Sequence, residues 1–302
     1  MRVICRSLVL SAILAASPAA RAQSTENGHP AVSPDGRLIA FIATRSGHAR
    51  LCLIGLDGRN ERELSVPDLD RSPRWSSVRE LTFTGSDADS GKIFSFDVDR
   101  GTLRVVANVP GRTQSLSPDG HRVLYLVGPW TSTSLVVADT DGGHARTLAG
   151  GRTTAWNGTW SPDGMRVAYT YGDSTRLLQV HVIDRDGGGD RAVTHSTRDE
   201  GSAQLPEWSP DGRWLAVQVN RLPTHSSEIW IVSVANGEVH RIAPHEAPYL
   251  DETPSWFPDG KRLAFQSNRT GTMEVWVMNA DGSNPVQITG RPKPPGGGPQ
   301  QR

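Results

Sequence analysis

Polar and charged side chains recur in this sequence at a fixed distance ahead of a repeated five-residue signature. Counting four to six positions before the start of each signature's turn collects Asn27 and His29, Asp70 and Arg71, Arg112 and Thr113, Trp156 and Asn157, Gln204, and Asp251, Glu252 and Thr253. The set is mixed in sign. Arg71 and Arg112 carry planar guanidinium forks that match a carboxylate, and Trp156 offers a stacking face to a sugar or a cation. Asp70, Asp251 and Glu252 could hold a divalent cation if they converge. His29 is the one histidine of nine that falls in the set, and no H-x-H or H-x-x-x-H pair occurs. A histidine metal cage is therefore not expected, and no metal or cofactor is assigned. If the set converges, it forms a clamp for an acidic or sugar-like ligand; if it does not, it is a row of solvated polar residues.

Convergence depends on the elements that carry these residues. The signature is Trp-Ser-Pro-Asp-Gly at 160–164 and 208–212, and Trp-Phe-Pro-Asp-Gly at 256–260. Serine opens a turn with its hydroxyl, proline presets φ, aspartate tolerates the bridge region and glycine accepts positive φ. With an apolar run on its far side, each signature reads as a hairpin through a type I turn with a glycine bulge.

Turn starts fall at Ser33, Ser76, Ser117, Ser161, Ser209 and Phe257, at intervals of 41 to 48 residues. The second copy is degenerate, with Ser77, Val78 and Arg79 in place of Pro-Asp-Gly, but it keeps Trp75 and the phase. Each copy splits into four short strands with alternating polarity, the fourth being the most polar. A four-stranded sheet repeated six times cannot bury both of its faces alone, so the copies must pack face to face about an axis. The expected fold is all-β, a six-bladed β-propeller of four-stranded antiparallel blades. All four strands of a blade come from one copy, which leaves closure to packing of blade one against blade six. The inner strands then run along a central channel, and the residues ahead of each turn line its mouth.

The repeated tryptophan reads as packing between blades and the turn aspartates as structural. Residues 1–22 carry Arg2, Arg6, the apolar run SLVLSAILAA and Ala-Arg-Ala before Gln23, the pattern of a cleavable secretory signal peptide. The domain reading is therefore signal peptide 1–22, propeller 23–290 and a disordered Pro/Gly-rich tail 291–302. Cleavage removes three arginines and no acids, leaving 29 basic against 32 acidic residues, so nucleic acid is not an expected partner. The apolar run is too short to span a bilayer. It also leaves Cys52 as the single cysteine, read as a packing residue in a strand.

The stretch from Pro254 to Thr289, with its W-F-P-D-G-K-R-L-A-F and V-M-N-A-D-G-S-N-P segments, resembles the repeats of TolB-type propellers, WD-like repeats common in bacterial envelope proteins. The resemblance covers residues 28–290 and concerns the propeller alone. It implies a periplasmic or secreted, non-catalytic module that docks an envelope protein or peptide, as TolB does a peptidoglycan-associated lipoprotein. Related propellers include lyases of acidic saccharides and the propellers of prolyl-peptidase-like hydrolases. A serine-hydrolase reading is not favoured, because no G-x-S-x-G occurs. The alternative function is thus a lyase or hydrolase acting on an acidic saccharide at the channel mouth.

Overall fold

Each Ser-Pro-Asp-Gly turn is closed by its own side chains. In the first, Ser33 Oγ donates to Asp35 Oδ1 at 2.6 Å, accepts from the Leu38 amide at 2.9 Å, and the Gly36 amide returns to the Ser33 carbonyl. The same serine–aspartate bond recurs at Ser117–Asp119 and Ser209–Asp211, both at 2.6 Å. It is the leading cause that holds the carboxyls of Asp35, Asp119 and Asp163 below their ordinary range. The glycine has positive φ in all five intact copies, from 65° at Gly260 to 74° at Gly120. These aspartates are occupied in fixing turns.

A computed structural model describes residues 26–290 except 46, 67–72, 86–90, 130, 152, 173–176, 222–223 and 243–248. It contains six four-stranded antiparallel sheets, each built from four consecutive strands. Their inner strands are Glu26–Val32, Arg74–Trp75, Arg112–Leu116, Thr154–Trp160, Ser202–Trp208 and Asp251–Trp256. Their outer strands are Arg62–Glu63, Thr102–Val109, Arg146–Ala149, Arg191–Ala192, Val239–Arg241 and Val286–Gln287. No described residue is helical, and none belongs to a helix long and apolar enough to cross a membrane. The expected architecture is the observed one, blade two included.

Alternation along each strand sends neighbouring side chains to opposite faces, and both faces are apolar. In blade 1, Ile39, Phe41, Cys52 and Ile54 pack with Phe257, Ala264, Val275 and Ile288 of blade 6. Ala40, Leu51 and Leu53 of the same blade pack instead with Leu81, Phe83 and Phe96 of blade 2. Six such clusters occupy the six seams, one between each pair of neighbouring blades. The seam between blades 6 and 1 carries one like the rest, so the ring closes by packing, with no strand shared between chain ends. Cys52 is fully buried there, and burial pushes its thiol up to about 11.

Three of the four turn-leading tryptophans bind backward across the seams. Trp75 Nε1 donates to the Ala31 carbonyl, Trp208 to Thr159 and Trp256 to Glu207, at 3.0, 3.2 and 3.2 Å. Trp208 also lies under the Arg166 guanidinium, 5.0 Å from the ring centroid. Truncating it empties a seam: Trp208→Ala is expected to lower unfolding stability by about 3–5 kcal/mol in urea denaturation. Gly260→Ala isolates the backbone contribution, because nothing lies within 4 Å of the added Cβ. Its expected loss is about 1–2 kcal/mol, and a neutral effect would contradict the assigned turn.

Candidate functional site

Five inner strands shift register against their second strands, that of blade 3 at Gln114, and four of them share one kind of bulge at the channel. Pairing with the second strand shifts register between Gly28 and Ala31, Trp156 and Thr159, Gln204 and Glu207, and Glu252 and Ser255. The first extra residue is left-handed in each: His29, Asn157, Leu205 and Thr253 have φ of 52°, 53°, 52° and 50°. Left-handed backbone costs a non-glycine residue about 1–2 kcal/mol. Here it turns an amide toward the preceding blade. The amide of His29 donates to Gln266 Oε1 at 2.9 Å, that of Asn157 to Gln114 Oε1 at 3.0 Å, that of Leu205 to Thr170 Oγ1 and that of Thr253 to Gln218 Oε1, both at 3.3 Å. Each of these four bulges therefore staples its blade to the one before it.

Glu252 orients two of these staples. Its carboxylate accepts from Gln266 Nε2 at 2.8 Å, Gln218 Nε2 at 3.3 Å and Ser227 Oγ at 3.0 Å. Holding the amide nitrogens turns both glutamine oxygens to the bulge amides of blades 1 and 6. Gly28 is required beside this chain, since a Cβ there would lie 2.2 Å from Gln266 Oε1. Asp251 is buried and paired with Arg269, whose Nε and Nη2 donate to its two oxygens at 3.2 and 2.5 Å. Asn27 is buried and donates to Glu274 Oε2 at 2.8 Å. Glu252→Ala is expected to lower stability by about 1–3 kcal/mol through its stranded donors, read as a lower denaturant midpoint with no ligand present.

A channel of about 1290 Å³ runs along the axis. Of the residues expected at its mouth, His29, Arg112, Asn157 and Thr253 stand in the wall. Asn27 and Glu252 are engaged between blades, Asp251 is paired with Arg269 inside blade 6, and Trp156 packs against the seam of blades 3 and 4. Gln204 lies opposite Gln218 in the ladder and is not in the wall, and Thr113 pairs with Tyr125. Asp70 and Arg71 lie outside the described residues. The extra residue at a bulge inverts the alternation of the strand, so Asn27, Trp156, Asp251 and Glu252 ahead of it turn into the blades, while Thr159, Glu207 and Ser255 beyond it reach the channel.

Counting four to six places ahead of the turn stops short of the lower wall. Arg74, Ser115, Thr159, Glu207 and Ser255 line it two places ahead of the turn. Arg74 Nη1 donates to both oxygens of Glu207, at 3.0 and 2.8 Å. The available signal was a charged residue directly before the repeated tryptophan, present in Arg74-Trp75 and Glu207-Trp208 alone. Among the described residues no group of three or more His, Cys, Asp or Glu side chains is placed to hold a metal ion.

Burial in the wall disfavours the imidazolium of His29 and lowers its pKa. At the exposed rim, His144 Nδ1 lies 2.7 Å from Asp139 Oδ2, and that bond raises the pKa of its imidazole. The two histidines thus act on stability in opposite directions. His29 costs stability as pH falls below the unfolded value near 6.5, and His144 adds stability that is lost as pH rises above it. An NMR titration of the histidine ring protons should give His29 a midpoint below 6.5 and His144 one above it.

A closed six-bladed propeller with a polar axial channel is the class of protein that these features define. The sequence profile of the TolB beta propeller domain matches residues 128–294, more than half of the chain, which belongs to that family. An uncharacterized protein of Agrobacterium fabrum is 28% identical over 204 residues, 62% of this chain and 65% of that protein. TolB from Acinetobacter baumannii superposes with a TM-score of 0.65 at 17% identity, over 87% of this chain and 63% of TolB. The chain thus spans just under two thirds of the length of each of these relatives. Oligogalacturonate lyase from Vibrio parahaemolyticus gives a TM-score of 0.57 at 13% identity, over 88% of this chain and 78% of the lyase. At these identities the structural likeness is one of fold.

Proposed function

We propose that this chain is an exported, non-catalytic binding module of the cell envelope whose channel mouth takes a segment of a protein or peptide partner. The observation that carries this reading is the division of labour among its polar groups. Asn27 and Glu252 are engaged between blades and Asp251 is paired with Arg269 inside blade 6, whereas the wall presents Arg112 and the side chains of Asn157 and Thr253 around a channel of about 1290 Å³. Fixed donors and acceptors beside prolines Pro30, Pro206 and Pro254 suit recognition of a peptide backbone without rearrangement. Membership of the TolB propeller family supports the same reading, and the pattern of residues 1–22 supports export.

The second reading is a lyase or hydrolase of an acidic saccharide. It draws on the fold shared with oligogalacturonate lyase and on Arg112 in the wall. The two separate in one set of experiments. Immobilised protein should retain a partner from envelope extract, and a paired Arg112→Ala and Asn157→Ala variant should lose at least about tenfold in capture while keeping its melting temperature. Turnover of an acidic oligosaccharide that vanishes on replacing Arg71 or Arg112 would replace the binding reading with the enzymatic one. Export is checked separately: the mature protein should begin at Gln23, and an N-terminus at Met1 in the secreted fraction would remove that part of the proposal.

A further inference from the structure

Blades 2 and 5 stand three places apart in either direction round the ring, so their inner strands face each other across the axis. At the tier just before the turn-leading residue, the six blades place Ala31, Arg74, Ser115, Thr159, Glu207 and Ser255. The two charged members of that tier are therefore opposed, and they meet. Their side chains retain 38% and 24% exposure, and their bridge crosses the channel. The strands behind them are fixed: the Glu207 carbonyl accepts from Trp256 Nε1 at 3.2 Å, and the Arg74 carbonyl from Thr82 Oγ1 at 3.2 Å.

Both bonds of the bridge leave from a single nitrogen, Nη1. The preferred fork between arginine and carboxylate uses two parallel N–H···O bonds along one edge of the guanidinium. The Nε and Nη2 groups of Arg74 make no hydrogen bond to another described residue. That edge matches a second carboxylate in spacing and charge, and Arg112 lies in the wall of the same channel.

We propose that the channel floor is a carboxylate-binding site, in which an acidic group docks on the Nε–Nη2 edge of Arg74 beside the resident carboxylate of Glu207. Glu207 positions the guanidinium across the axis and, as a like charge next to the ligand, keeps its affinity low. The inference rests on the reading of the channel as a binding site and adds the chemistry of what enters: a chain terminus or an Asp or Glu side chain.

The test is calorimetric titration of the mature chain with acetyl-triglycine, which carries a terminal carboxylate, with acetyl-aspartate methylamide, which carries a side-chain carboxylate, and with acetyl-triglycinamide. The expected result is binding of one or both acids and none of the amide, with the acid that binds identifying the source. Removing the neighbouring charge in Glu207→Gln should tighten binding on the order of tenfold. Arg74→Gln should abolish it. Arg74→Lys keeps the charge and the ion pair but lacks the edge, so it should lose binding with its melting temperature preserved, which covers the case in which Arg74→Gln does not fold. Equal binding of the amide, no tightening in Glu207→Gln, unchanged binding in Arg74→Lys, or no binding by either protein overturns the site. Partner capture from extract with no probe binding counts against this site alone, and probe binding without capture counts against the partner reading alone.

Discussion

Two apolar faces on every blade constrain this protein more than any other feature. A sheet of four short strands has no interior of its own, and here the residues that would form one are divided between two neighbours. Ile39, Phe41 and Ile54 serve one seam of blade 1 while Leu51 and Leu53 serve the other. A stack with ends would leave two such faces in water, roughly the exposure of a whole seam on each side. The ring is the arrangement with no ends. That explains why closure needs no shared strand: the sixth seam is held by the same burial as the other five, with Asn27 and the bulge amide of His29 bonded into blade 6.

Seams also set the chemistry of the axis. Six inner strands arrive at one line, and each must satisfy its backbone close to water-filled space. In four blades the bulge meets this demand by turning one amide sideways into the preceding blade, and two of the receivers, Gln266 and Gln218, are aligned by Glu252. A carboxylate that looks, by type, like a catalytic or metal-binding group is thereby a part of the frame. Asp251, paired with Arg269, is another. What remains for a ligand is a wall of neutral polar groups and prolines, with Arg112 and the Arg74–Glu207 pair.

The fold was legible in the sequence because its signals are periodic. Six turn starts, four alternating strands per copy and a tryptophan at one repeated place leave few other architectures, and even the degenerate copy at Trp75 kept its phase. The axial lining was legible only in part. A fixed count ahead of the turn assumes an unbroken strand, and the bulges at 29, 157, 205 and 253 break it; the signal that announces them is the residue that follows each, Pro30, Gly158, Pro206 and Pro254. Asn27, Glu252 and Asp251 were consequently assigned to the mouth from a count that the extra residue inverts. Arg74 and Glu207 carried a signal, but it becomes meaningful only once blades 2 and 5 are known to be opposite.

That opposition belongs to an even-numbered ring. With six blades every inner strand has a partner straight across the axis, and a pair of side chains the length of arginine and glutamate can meet there. The blade that supplies the arginine is the one that departs most from the repeat: its turn lacks Pro-Asp-Gly, and its inner strand is the two residues Arg74–Trp75, against five to seven elsewhere. Trp75 anchors it to blade 1 and Arg74 to blade 5. The bridge that crosses the channel thus ties this blade to the one opposite it. Placing a charged pair where it holds the most divergent blade and spans the site links the shape of the channel floor to the closure of the whole ring.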